Sequence, residues 1–164
     1  MDIVLLLLLI FLNGAFAMSE MAVVSSRKSK LQSLAEDGSI GADAALELHQ
    51  NPSRFLSTIQ VGITSVGILS GAIGEAVLAD PLTERLAMIP LIAPYAHGVA
   101  LTITVVGLTY FSVVVGELVP KQLALRNPEA VAIRMAPAMV LLSIIGAPIV
   151  WLLDRSGKSL LWLL

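Results

Sequence analysis

Cysteine is absent from the 164 residues, which excludes disulfides and thiolate metal sites and leaves the redox compartment unread. Charge is scarce as well. Only 13% of residues are Asp, Glu, Lys or Arg, the formal net charge is −2, and the one basic group, Arg27, Lys28 and Lys30, is short. Nucleic acid and acidic macromolecules are therefore not expected as partners. Histidine occurs only at His49 and His97, too far apart to read as a site, and no Ser-His-Asp set, HExxH motif or phosphate-cradling loop is present, so an enzyme is not expected. What remains is apolar: 57% of the residues are hydrophobic, well outside the range of soluble domains, and a bilayer is the expected solvent.

The distribution predicts an all-α membrane protein with three transmembrane helices. Residues 3–24 are apolar except for Asn13, Ser19 and Glu20, and as a helix they run about 33 Å, enough to cross the hydrocarbon core. A cleaved signal peptide would need a basic start, whereas this one carries Asp2. Residues 26–54 read as amphipathic helix outside the core, divided near Gly38 and Gly41, with Asn51-Pro52 a turn and Ser53 a cap for the next helix. The second span covers about 55–79, a loop with short helical pieces follows from Asp80-Pro81 to Pro94, and the third span covers about 95–116. Residues 128–164 are apolar enough for a fourth crossing but contain Arg134, Pro137 and Pro148. Keeping them on the side of 26–54 leaves Arg85 as the one basic residue opposite the other nine, which satisfies the positive-inside rule. They are accordingly expected as kinked juxtamembrane helix with Trp151 and Trp162 as interfacial anchors, and the N-terminus as extracytoplasmic.

Three carboxylates fall in or at the edges of the spans: Glu20, Glu75 and Glu117. An acid at the centre of a membrane helix costs roughly 2.5–3.5 kcal/mol unless it is paired, hydrated or bound to a cation, which makes each a functional candidate. Ser19, Ser25, Thr64, Ser65, Ser70 and Ser112 add hydroxyl oxygens on the same helices. Such groups commonly bond back to their own helix, but with a carboxylate they form the oxygen-only set that hard cations prefer. Gly62, Gly67, Gly71 and Gly74 punctuate the second span, Gly67 and Gly71 in GxxxG spacing, which suits close helix packing or an interruption of the helix. The segment Gly116-Glu117-Leu118-Val119-Pro120-Lys121 is expected to end the third span, Pro120 stopping the regular hydrogen bonding and leaving carbonyls near Gly116 as ligands beside the charge of Glu117. A plain helix stop with Lys121 snorkelling to the headgroups is the alternative.

Asn13-Gly14-Ala15-Phe16-Ala17-Met18-Ser19-Glu20-Met21-Ala22, the basic Ser26-Arg27-Lys28-Ser29-Lys30-Leu31, Asn51-Pro52 with Thr58-Ile59-Gln60-Val61-Gly62-Ile63-Thr64, and Gly116-Glu117-Leu118-Val119-Pro120-Lys121 together resemble the CorC/CNNM transmembrane domain, called hemolysin-like in bacteria. The resemblance covers essentially the whole chain in order. It implies a homodimer in the cell membrane, three spans per protomer, juxtamembrane helices forming a cytoplasmic belt, and a longer parent chain with a cytosolic CBS-domain pair and a C-terminal domain. It further implies Mg²⁺ as the transported ion, with no other cofactor, held by Ser19, Glu20, Gly116 and Glu117, with Thr64 and Ser65 as replacements where the family's pattern is broken. The breaks are Ala17, where many members have serine, and Ile63, where many have asparagine.

The leading expectation is thus a divalent-cation exporter working by alternating access through an oxygen-lined site among the spans. A branch of the family with a similar Gln-x-Gly-x second span is linked to export of small polyamines, elongated dications that could use Glu20, Glu75 and Glu117. A membrane anchor and dimerisation module without transport is the third possibility, suited by the GxxxG pair.

Overall fold

The computed structural model describes residues 2–163, and among them the secondary structure is helical throughout. Nine α-helices follow one another: α1 Asp2–Ser25, α2 Lys28–Glu36, α3 Ile40–Gln50, α4 Pro52–Gly74, α5 Asp80–Leu86, α6 Ala96–Val113, α7 Val119–Arg126, α8 Pro128–Ile145 and α9 Ala147–Leu163. Two π-helical turns, Glu75–Ala79 and Val114–Leu118, join α4 to α5 and α6 to α7, and a 3₁₀ turn, Ala93–Tyr95, precedes α6. Four runs are long and apolar enough to cross a bilayer: Asp2–Ser25, Pro52–Leu86, Ala93–Arg126 and Pro128–Ile145. The first three contain the predicted spans. The fourth lies where charge placement predicts juxtamembrane helix, so length and composition alone admit a fourth crossing. Large apolar side chains such as Phe11, Ile68 and Val106 are 64–69% exposed, which water would not tolerate over so many positions and lipid does.

The chain divides into two compact units, one holding residues up to 15 together with 63–120, the other holding 16–62 together with 121 onward. In the first, α6 packs against α5 and both π turns. Ile10, Val66, Ala79 and Ala100 are buried there. In the second, α3 lies along α8 and against α2, with Leu31, Ala42, Ala45, Ala132 and Ala136 fully buried. Small side chains bring α3 and α8 close. A Cβ on Gly41 would run into the backbone carbonyl of Ile133, and Ile133 stands four residues before Pro137, which has no N–H to offer that carbonyl. Phe55, Ile59 and Met139 complete this core. Near the start of the unit, Glu129 is buried and receives Arg27 Nε at 3.1 Å and Lys30 Nζ at 3.3 Å, tying α8 to the beginning of α2.

Several expectations need correction. The division of residues 26–54 falls at Gly38, whose φ of +87° stops α2 in a left-handed turn, while Gly41 lies inside α3. Ser53 is not a cap. The helix starts at Pro52, where a missing N–H costs nothing, and Asn51 accepts the first bond, from Phe55 N at 3.2 Å. Neither the second nor the third span stops where a proline predicts. Each widens into a π turn and resumes as α-helix, with Pro81 and Pro120 at the second position of α5 and α7, where the missing N–H frees a carbonyl of the π turn and does not end the helix. The region from Asp80 is consequently helix up to Leu86, and the third helical run reaches Arg126. The glycines of α4 do not interrupt it. Gly62 and Gly74 pack against Phe16 and Leu108, whereas Gly67 and Gly71 have no atom within reach of an added Cβ, so the GxxxG pair is not a packing seam within the chain. Pro137 sits inside α8, and the break before α9 falls at Gly146. Trp151 is exposed, as an anchor should be, while the side chain of Trp162 lies outside the described residues.

Candidate functional site

The first unit concentrates polar groups on α1, α4, α6 and the second π turn. Gly14 and Gly116 let α1 approach that turn: a Cβ on Gly14 would lie 3.0 Å from Pro120 Cγ, and one on Gly116 would lie 3.2 Å from the Ile10 carbonyl. The close approach brings Asn13 to the Gly116 carbonyl, to which its Nδ2 donates at 2.9 Å. Gly116 stands four residues before Pro120, so its carbonyl has no donor from that position, and the side-chain amide supplies one. The contact also fixes the amide's orientation, because a flipped Asn13 would set oxygen against oxygen. Asn13 Oδ1 then points elsewhere, and it is buried with no partner. Asn13 borders a cavity of about 250 Å³ together with Ile63, Ser70, Thr109 and Ser112.

Both π turns carry an acid, Glu75 in the first and Glu117 in the second. A π turn is rare and is frequent at functional sites, since it reorients side chains and leaves backbone carbonyls less completely bonded. Glu75 is exposed and Glu117 half-buried.

The six residues predicted from the sequence are distributed unevenly. Gly116 is buried and Glu117 adjoins it in the first unit. Thr64 and Ser65 belong to the same unit but are exposed on α4, and neither borders the cavity. Ser70 and Ser112 do. Ser19 and Glu20 belong to the second unit, Ser19 fully buried and Glu20 within 3.7 Å of Lys121 Nζ. Glu20 also borders an open hollow of about 540 Å³ with Ser57, Gln60 and Asp154, walled by Leu56, Val61 and Val150. Asn13, the residue with the unpaired oxygen, was missed as a site residue. Its signal was a carboxamide inside an otherwise apolar stretch, one of few polar groups in the first span. Among the described residues no cluster of three His, Cys, Asp or Glu could hold a metal ion, so any cation would meet mainly neutral oxygens.

Residues 3–164 match the family model of the cyclin M transmembrane N-terminal domain, CNNM. The chain belongs to the CNNM family. This CNNM domain is 47% identical over 161 residues to the UPF0053 protein sll0260 of Synechocystis sp., covering 98% of this chain and 36% of that protein. It is 30% identical over 159 residues to the polyamine export protein of Salmonella typhimurium, covering 97% of this chain and 35% of that one. It is 31% identical over 150 residues to the polyamine export protein of Escherichia coli K12, covering 92% and 33%. The chain thus spans about a third of the length of the relatives it matches. The family is one of transmembrane domains, in agreement with the apolar helices, and it makes this a multi-pass membrane protein of a transporter family.

Proposed function

We propose that this CNNM domain is the membrane-embedded part of a cation exporter whose cargo is Mg²⁺, moved by alternating access. The observation that carries the reading is the buried, unpaired Oδ1 of Asn13 beside the Gly116 carbonyl. An acceptor left without a donor inside a protein costs about 1–3 kcal/mol, and a cation removes that cost by binding it. Hydroxyls of Ser70 and Ser112 border the same cavity, giving the neutral oxygen set that a hard cation takes, and Glu117, next to Gly116, supplies negative charge. Ser70 and Ser112 take the part expected of Thr64 and Ser65. Ser19 and Glu20 remain candidate ligands through the family resemblance. The excess of basic residues in the segments 26–54 and 118–164 supports three spans with an extracytoplasmic N-terminus. Gly67 and Gly71 line the same cavity as Asn13, and a homodimer is proposed on the family resemblance. Relatives about three times as long leave room for cytosolic CBS and C-terminal domains.

A second cargo, a small polyamine, is favoured by two observations. Several relatives, those of Salmonella typhimurium and Escherichia coli among them, are named polyamine export proteins. The hollow beside Glu20 offers two carboxylates, an amide and a hydroxyl along apolar walls, which suits an elongated dication. An unpaired carboxamide oxygen also accepts an ammonium N–H. Efflux from proteoliposomes holding the full-length protein separates the cargoes: the proposal expects Mg²⁺ flux that spermidine and putrescine do not replace. Polyamine flux without Mg²⁺ flux would give the protein the second cargo, and flux of neither would leave a membrane anchor.

A further inference from the structure

The second unit holds a feature that shares no residue with the Asn13 cavity. An apolar slot of about 150 Å³ lies among α4, α8 and α9, lined by Phe55, Ile59, Met139, Leu142, Ile149 and Val150. Val150 also borders a second, polar hollow of about 530 Å³, which includes Ser53, Arg54, Ser57, Trp151 and Lys158. The two hollows therefore meet at one residue, apolar on one side and cationic on the other.

The charge of the polar side is specific. Arg54 Nη2 donates to the Ser143 carbonyl at 3.2 Å, and Arg54 has no carboxylate partner among the described residues. Lys158 is paired at 2.6 Å with Asp154, which borders the same hollow and cancels its charge. Glu20, across the neighbouring hollow from Asp154, is held by Lys121. One uncompensated positive charge is left, at the first turn of α4, where backbone N–H groups lack intrahelical acceptors and the helix dipole favours an anion. Trp151 at the rim places an amphipathic ring where headgroup and acyl region meet.

We infer that this composite hollow binds one anionic phospholipid, an acyl chain entering the slot between Phe55 and Met139 and the phosphate resting on Arg54 at the start of α4. The occupant follows from the charge and from the solvent: a single net positive charge above an apolar slot, in a protein surrounded by lipid, matches a singly charged anionic headgroup better than a zwitterionic one.

Quenching of Trp151 by phospholipids brominated on the acyl chain tests this, in full-length protein carrying Trp162→Phe to silence the other tryptophan of this domain and with any tryptophans of the remaining chain replaced. Brominated phosphatidylglycerol is expected to quench at about fivefold lower mole fraction than brominated phosphatidylcholine. Arg54→Gln is expected to abolish that preference, and Arg54→Lys, which keeps the charge, to retain it. Unchanged quenching by phosphatidylcholine in Arg54→Gln would show that the variant is folded. Equal quenching by both lipids in the Arg54 protein, or an undiminished preference in folded Arg54→Gln, would overturn the assignment.

Discussion

The side-chain amide of Asn13 donates at 2.9 Å to the carbonyl of Gly116, four residues upstream of a proline that cannot donate to it. A related approach is made where the Ile133 carbonyl, four residues before Pro137, lies against Gly41. In both places a proline inside a helical run removes a donor, and a neighbouring element with a small or polar residue moves into the freed position. At Gly41 the contact is a backbone approach that fastens α3 to α8. At Gly116 it is a polar contact, and it leaves the other end of the amide, Oδ1, buried without a partner.

Asn13→Leu is expected to keep the fold. It removes the unpaired Oδ1 but leaves the buried Gly116 carbonyl without its donor, so one unpaired acceptor replaces another and the net loss is one hydrogen bond, about 1 kcal/mol. What it should lose is stabilisation by cargo. A ligand at a hundred times its Kd stabilises the native state by about 2.7 kcal/mol, so thermal unfolding of the purified protein with and without saturating Mg²⁺ should separate for the parent and coincide for Asn13→Leu.

Pro120→Ala restores an N–H within reach of the freed carbonyls and should favour ordinary α-helix over the π turn Val114–Leu118. The new donor competes with Asn13 for Gly116. Transport is expected to fall while thermal stability holds or rises slightly, and hydrogen exchange should show the new amide at position 120 protected.

Gly41→Ala drives a methyl group into the Ile133 carbonyl, a backbone atom that cannot swing aside. Overpacking of this kind costs about 1–3 kcal/mol. The melting temperature should drop, and Gly107→Ala, which meets no atom within 4 Å and lies outside the Asn13 cavity, serves as the control expected to change it little.

Acidification should weaken the second unit through His49. Its Nε2 lies 3.0 Å from Ser26 Oγ, and that hydroxyl already donates to the Val23 carbonyl at 2.8 Å, so the ring acts as donor in its neutral Nε2–H form. Burial, aided by the charge of Lys28, lowers the pKa of His49 below 6.5. The unfolded chain therefore takes up the proton first, and stability present above pH 6.5 is lost as the pH falls through 6.5 towards the lower folded-state value. The melting temperature is expected to decline between pH 7 and pH 5, with a shallower decline in His49→Gln.

The apolar runs placed the starts of three of the four candidate spans to within about three residues, because an apolar stretch of bilayer length is set by composition, while the second and third runs continue past the predicted ends to Leu86 and Arg126. Gly38 likewise marked the turn between α2 and α3, since a positive φ admits few other residues. The prolines misled. Pro81 and Pro120 predict helix ends from local bonding, but a π turn before each moves the proline into a first-turn position, and whether a chain takes that route depends on what its neighbours offer the freed carbonyls. Glu117 was legible from its cost in lipid. Thr64 and Ser65 were not distinguishable from Ser70, since the three positions span more than one turn and only packing decides which face of α4 is covered. Asn13 was readable as a polar residue in a span, yet its unpaired oxygen exists only because Gly14 and Gly116 let two helical segments close on each other.

The central claim is that cargo passes by the unpaired oxygen of Asn13 and the acid beside Gly116. Mg²⁺ efflux from proteoliposomes, compared for the full-length parent, Asn13→Leu and Glu117→Gln at equal incorporation, tests it most directly. Hydrogen bonds and ligand contacts to a charged group are worth about 1.5–3 kcal/mol, so each substitution should slow efflux by about tenfold or more. Parent-like efflux in both folded variants would contradict the account.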